Sequence, residues 1–336
     1  QNKCAESRCR KNSCKNCVPL QTTPSPMPIL HPVSLLRCCV FVVLTAVCPF
    51  AHAAPPARLG LPELPEVLRD LVPSKRNHEG TPAAKLYLKD GMLGISLSTQ
   101  KSLTPAQWDA VASLRPRLFA FNDQSLADGD MSRLVTLDPL SVSLRITPLT
   151  GGGAAKFGAM KNLRSLNSHH MHQATPEAKE ALSGLQNLED FRTAGEFCIE
   201  ALSAPRLKSV ELAEKAATVA RIQELIKQPA LETLSLFAHN ITTVNDACLS
   251  TVAKIQPLQT LKIAFSVLTY EGGLKDLEAL PNLRSLSLYQ VDVKTEDLKR
   301  FKEALPSLRV IHTPMTTEYK AKWESMLAQE KAPLTK

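Results

Sequence analysis

His169, His170 and His172, in the run HHMH, are the side chains whose type and spacing come nearest to a metal site. Imidazoles this close can share a cation, and Asn167 or Ser168 could add an oxygen. Yet neighbouring residues of an extended chain point opposite ways, and no Asp, Glu or Cys adjoins the run. A solvated loop is the expectation. A second candidate is Cys4, Cys9, Cys14 and Cys17, with Cys14-x-x-Cys17 at zinc-ligand spacing. A structural zinc holds its thiolates in a small folded module, and nothing apolar surrounds these four. A third is the carboxylate pair Asp190 and Glu211, expected on adjacent strands with Arg192 nearby. That grouping suggests salt bridging more than acid/base work. No G-x-S-x-G, H-E-x-x-H or P-loop occurs, and GGG at residues 151–153 lacks the Lys-Ser/Thr of a phosphate cradle. The chain is therefore expected to have no catalytic residue and no cofactor. A metal-dependent enzyme built on the histidine run is the alternative.

The first fifty residues follow different rules from the rest. From Met27, a short segment carrying Arg37 leads into the apolar run CCVFVVLTAVCPF (38–50) and then AHA (51–53). Those are the parts of a secretory signal peptide, with Ala51 and Ala53 suited to the peptidase pocket. The run of about 13 residues is well short of the roughly 20 that span a bilayer as a helix. Val47 precedes Cys48 where a lipoprotein box has a small residue, so cleavage is expected near Ala53. Residues 1–26 read as upstream sequence that belongs to no mature protein, and 27–53 as the signal peptide. Six of the 40 Lys and Arg and one of the 32 acids lie in residues 1–53, so the formal charge falls from +8 to +3 without them. A nucleic-acid partner, which needs a concentrated basic face, loses its main support. Of nine cysteines only Cys198 and Cys248 remain, too few for a disulfide scaffold and expected as buried free thiols. The sequon at Asn240 has meaning only in a eukaryotic secretory route.

What positions the remaining residues is a repeat. KNLRSLNS, QNLEDFRT, PRLKSVEL, PALETLSL, PLQTLKI, PNLRSLSLYQ and PSLRVIH share one pattern, with first leucines at 163, 188, 207, 231, 258, 283 and 308. Intervals of 19 to 27 residues over seven units mark a solenoid. Between these strands lie helical patterns at 104–114, 175–185, 271–280 and 295–305. Thr104, Thr175 and Thr295 are suited to N-caps, Pro105 and Pro176 to the first helical position, and Thr104 with Gln107 to a capping box. The glycine-rich stretch 151–160 falls where a helix is due and reads as an irregular or hinged turn. No unit can bury its apolar face alone, so stacking makes the core.

On these residues the chain resembles the leucine-rich repeat family, of the secreted bacterial type with helix-containing repeats of about 25 residues. The resemblance implies an α/β solenoid: a curved horseshoe with parallel strands on the concave face and helices on the convex face. Residues 91–315 form the repeats, clearest over 163–311, with LSVSLRI, LRPRLFAF and GMLGISLS as earlier units. Residues 54–90 read as a Pro-rich, polar linker and N-terminal cap. Residues 316–336 read as a capping helix and tail, with Tyr319, Trp323 and Leu327 closing the last repeat. The family's Asn/Cys ladder position holds Met171, Glu196, His239, Ser266 and Val291 instead.

Alternation along each strand sends the leucines inward and the intervening residues outward. The central outward row is then Asn167, Arg192, Glu211, Ser235, Lys262, Ser287 and His312. One flanking row runs from Ser165 to Val310, and the other holds His169, Ala194, Ala213, Phe237, Ala264, Tyr289 and Pro314. Exposed aromatics are the side chains that anchor binding, so Phe237, Tyr289 and Lys262 are expected at the centre of a contact patch with Arg192, Glu211, Ser235 and Ser287 around it. The implied function is a secreted or periplasmic binder of a protein, a peptide or a cell-envelope polymer. A structural envelope protein without a discrete ligand competes with it. The solvated-loop reading of the histidines predicts identical zinc titration heats for wild type and a His169→Ala/His172→Ala variant; a site-specific heat lost in the variant would overturn it.

Overall fold

The computed structural model describes residues 60–78, 80–147, 149–168, 175–195, 202–239 and 242–331. The histidine run, Cys198, the signal-peptide segment and residues 1–26 lie outside them. Among the described residues, eleven strands form one sheet whose spatial order is the chain order. They are β1 (Ala84–Lys89), β2 (Met92–Thr99), β3 (Leu118–Asp123), β4 (Ser141–Arg145), β5 (Ser165–Ser168), β6 (Asp190–Thr193), β7 (Ser209–Ala213), β8 (Thr233–Phe237), β9 (Thr260–Val267), β10 (Ser285–Asp292) and β11 (Arg309–Pro314). β1 pairs antiparallel with β2, and every later pair is parallel. Each parallel pair therefore needs a return segment, and where the described residues cover that return it carries a helix or a 3-10 turn.

The core lies on the side of the sheet to which the pattern's leucines point. Val142, Leu166, Phe191, Val210, Leu234, Leu261 and Leu286 are all fully buried. Facing them are residues from α3 (Met131–Thr136), α5 (Pro176–Ser183), α6 (Val219–Leu225), α7 (Asp246–Val252) and α8 (Thr295–Ala304). Leu134, Leu182, Ile222, Leu249 and Phe301 join the same core cluster. β3 and β4, read from the weaker upstream pattern, continue it through Phe119, Phe121 and Leu144. Each fully buried side chain of this size contributes about 1.5–3 kcal/mol.

After the one-turn α1 (Glu66–Arg69), capping follows the sequence at α2 (Pro105–Leu114) and α5. Thr104 Oγ1 accepts from Gln107 N at 3.4 Å while Gln107 Oε1 accepts from Thr104 N at 2.8 Å, and Thr175 Oγ1 accepts from Ala178 N at 3.3 Å. It fails at α8, where Thr295 is the first helical residue and the cap is Lys294, with no side-chain bond. The glycine-rich stretch is also a correction. It forms α4 (Gly151–Ala155) and a 3-10 turn over Lys156–Ala159. The glycines are there for closeness: a Cβ on Gly158 would meet Ala181 Cα of α5 at 2.9 Å, and one on Gly151 would overlap the Thr175 side chain. Residues 271–280 give a 3-10 turn over Leu274–Ala279.

With the family's Asn/Cys position mostly substituted, other polar groups tie unit to unit. Asn187 Nδ2 donates to Lys161 O at 2.9 Å, Asn282 Nδ2 to Gln256 O at 3.2 Å, and Asn162 Nδ2 to Asp138 Oδ2 at 2.8 Å. These asparagines precede the first leucine of their units. At the Asn/Cys position itself, buried Ser266 Oγ donates to Val244 O at 2.8 Å. At the far side, Asp246 accepts from Thr269 N at 3.0 Å and Asp128 from Thr150 N at 2.9 Å. Cys248 is a buried free thiol whose pKa burial pushes up, as expected of an inert core cysteine. Leu286→Ala should cost about 2–5 kcal/mol in denaturant unfolding and Ser287→Ala under about 0.5 kcal/mol; equal losses would contradict the assigned faces.

Candidate functional site

The open face of the sheet carries the expected outward row almost throughout. Asn167, Arg192, Glu211, Ser235, Lys262 and Ser287 are aligned strand to strand. The row breaks at β11. There Ile311, not His312, lies opposite Ser287, and Val310 lies opposite Leu286. The same shift puts Arg309, not Val310, opposite Ser285, and Thr313, not Pro314, opposite Tyr289. β11 is the last strand, so one neighbour alone sets its register, and packing Val310 on the core fixes the shift. His312 Nε2 is 2.9 Å from Val291 O.

The anticipated contact residues do not all stand free. Tyr289 is 53% exposed and Lys262 is exposed, but Phe237 is half-buried and Ser235 only 6% exposed. Ser235 sits between the longer Glu211 and Lys262 in register, and Ala264, expected outward, is buried between Phe237 and Tyr289. Arg192 bridges the two acids flagged above, at 3.3 Å from Asp190 and 3.9 Å from Glu211. That is the salt-bridged arrangement the sequence suggested, with a cation between the carboxylates.

The residue just past the outward row is where the face acquires its shape. Asp123, Ile146, Glu214, Phe265 and Gln290 occupy one equivalent position of the repeat, and all have φ between 49° and 60°. In β9 and β10 this residue is a bulge that the ladder skips. A non-glycine residue held here costs on the order of 1–3 kcal/mol. At these five strands the left-handed residue turns the strand's end and sets its own side chain on a common rim. The sequence shows only that the buried step lengthens from two residues (Leu286 to Leu288) to three (Leu288 to Val291); that Gln290 between them is left-handed is a matter of backbone geometry.

On that rim an aromatic cluster assembles from three units and the C-terminal helix, α9 (Thr317–Lys331). Phe265 packs 5.6 Å from the His239 ring, 5.6 Å edge-on from Tyr289 and 4.9 Å from Tyr319. Tyr319 Oη donates to the His239 carbonyl, and His239 Nδ1 pairs with Glu214. Gln290 Oε1 accepts from Thr316 N at 2.9 Å, and Lys320 Nζ pairs with Asp292 at 2.7 Å. The sequence placed Tyr319 over the last repeat; the structure carries it back to the ends of β8 and β9. Trp323 is buried. Below the rim lies a hollow of about 760 Å³, lined by residues that include Asn122, Arg145, Asn167, Glu211, Phe237 and Phe265. β3 and β9 are six strands apart, roughly 29 Å at ordinary spacing, yet both line this one hollow, so the face is dished.

A helix-backed sheet of in-register parallel strands, dished on its open face, with a buried apolar rung, mostly leucine, in each described unit, admits one description. The fold is a leucine-rich-repeat solenoid. Among solved structures this repeat fold is similar to TLR13 in its ssRNA13 complex, with TM-score 0.45 and 17% identity over 65% of this chain and 32% of that one. It is similar to a leucine-rich-repeat protein of Leptospira interrogans, with TM-score 0.37 and 16% identity over 60% and 56%. It is also similar to internalin C2 of Listeria monocytogenes, with TM-score 0.39 and 18% identity over 63% and 84%. The solenoid thus spans about a third of the TLR13 chain and about half of the Leptospira protein. No protein-family model and no curated protein matches the sequence. Register and burial alone establish the repeat fold.

Among the described residues, no group of three or more His, Cys, Asp or Glu is placed to hold a metal ion, and no helix is long and apolar enough to cross a membrane. Burial first, and then the Glu214 charge, push the Tyr319 phenol from 10.0 to about 12. Because the folded value is the higher, the stabilisation is complete below about pH 10 and is lost as pH rises towards 12. Tyr319→Phe should remove a phenol ionising near pH 12 from an ultraviolet titration and flatten the fall in stability over that window. An unchanged titration would show that Tyr319 is not the shifted group.

Proposed function

We propose that this solenoid is an exported, non-enzymatic binding protein that holds another protein or a peptide on its dished face. The observation that carries the reading is the 760 Å³ hollow walled by Phe237 and Phe265 at one end and by Asn122 and Arg145 at the other. Binding sites of this kind combine an apolar anchor wall with a few convergent polar groups. The hollow lies on the face that the repeat leaves free of helices, so a ligand can reach it without disturbing the core. Tyr289 extends the aromatic wall outward, and Lys262 lies beside it on the neighbouring strand. Ser287 and Ser235 are small, which leaves the aromatic side chains standing above them. The apolar run at 38–50 followed by Ala51 and Ala53 supports export.

The test is capture from envelope and secreted fractions of the source cells by residues 54–336, wild type against Phe237→Ala/Tyr289→Ala. A captured partner should bind the double variant at least about tenfold more weakly, as expected when aromatic anchors are truncated. Thermal unfolding of the two proteins serves as the control for folding. Equal affinity would remove the aromatic wall from the reading. Self-association that the double variant retains, with no partner captured, would favour a structural envelope role.

A further inference from the structure

The charges on the dished face are mostly answered by neighbours. Arg192 lies between Asp190 and Glu211, Glu214 pairs with His239, and Asp123 takes Arg76 at 3.3 Å together with the Ser74 hydroxyl. Arg145 differs. It is the last residue of β4, exposed, directly opposite Asn122 of β3, and no carboxylate among the described residues pairs with it. It also belongs to two depressions at once. One is the central hollow; the other is a notch of about 300 Å³ closed on its far side by Arg76, Asn77 and His78 of the segment before β1.

Asn77, which also lines the notch, carries a second unanswered donor. Asn77 Oδ1 accepts from Ser98 Oγ at 2.8 Å, which leaves the Asn77 amide nitrogen to donate. That nitrogen is buried and has no hydrogen-bond partner. Buried donors without partners are uncommon, because each forfeits about 1–3 kcal/mol. Here the orphan shares a wall with Arg145 and the Asn122 amide, so the groups left to answer are all able to donate. The Asp123 carboxylate in the same notch is occupied by Arg76 and Ser74 and leaves the Arg145 charge uncompensated.

Building on the reading of this face as a peptide-binding surface, we infer that the notch takes a carboxylate of the bound peptide. Arg145 and Asn122 receive that carboxylate, and the chain then crosses the hollow to set an apolar side chain against Phe237 and Phe265. Guanidinium and carboxylate match in charge and in planar two-point geometry. β4 and β8 are four strands apart, roughly 19 Å at ordinary strand spacing. An extended peptide covers that in about six residues at roughly 3.3 Å each. The fitting ligand is therefore an extended segment with an acidic group about five or six residues from an aromatic or large aliphatic one. An Asp or Glu side chain and a chain end both present the same two carboxylate oxygens.

The experiment selects a random dodecapeptide display library on residues 54–336, then measures synthetic copies of enriched peptides by fluorescence polarisation. Enriched sequences should pair an acidic group with an apolar residue at that spacing. Arg145→Gln should weaken them at least tenfold and reduce the salt dependence of binding, while Phe237→Ala weakens them with the salt dependence intact. Peptides made as C-terminal acid and as amide separate the two sources: loss on amidation assigns the chain end, and no loss assigns the side chain. Peptides that bind wild type and Arg145→Gln alike would overturn the carboxylate site and leave the peptide-binding reading standing. A library that yields no binder would overturn that reading and this inference together.

Discussion

The whole molecule depends on one constraint: each unit must bury its leucine rung against the next in the same register. A single unit has too little apolar surface to hold its own strand and return segment in place. Stacked in order, the units pass the core along without interruption from Ile95 to Leu286. Register is strictly specified, because a one-residue slip would exchange the leucine face for the polar one. Only at β11, the last strand among the described residues, does the chain settle on a different alignment. The regular outward row is a by-product of this inward demand.

The rim shows how function-bearing geometry can be supported by that regularity. Five non-glycine residues hold left-handed backbone at the same repeat position. Each is disfavoured alone, but the ladder on either side fixes the strand before it and the return after it. Glycine would relieve the strain and would also remove the side chain. Instead Asp123 takes the Arg76 pair, Gln290 receives the Thr316 amide, and Phe265 becomes the centre of the aromatic cluster. The strained position is thus where α9 and the segment before β1 attach to the face.

Much of the fold was legible because apolar spacing reports burial directly. Leu283, Leu286 and Leu288 read as one rung, and Thr104 with Gln107 read as a capping box, since both are local patterns with a local cause. The glycine stretch at 151–160 misled for an equally physical reason. Glycine signals either backbone freedom or close approach, and only the position of Ala181 shows that it is close approach. The candidate contact residues fared unevenly for the same sort of reason. Alternation gives the direction of a side chain but not the height of its neighbours, so Ser235 and Ala264 were placed on the correct face and yet are buried there.

By itself the sequence determined the solenoid, the face that every repeat strand before β11 presents and the salt-bridged setting of Asp190, Arg192 and Glu211. These follow from periodicity and from pairing between adjacent units, which are short-range in a stacked array. The tertiary structure alone decided that Arg145 joins a notch with Asn77, and that Tyr319 returns across 80 residues to the His239 carbonyl. It alone dished the face so that β3 and β9 share one hollow. Those features depend on curvature accumulated over many units and on bulges at strand ends. Neither can be read from the spacing of the leucines alone.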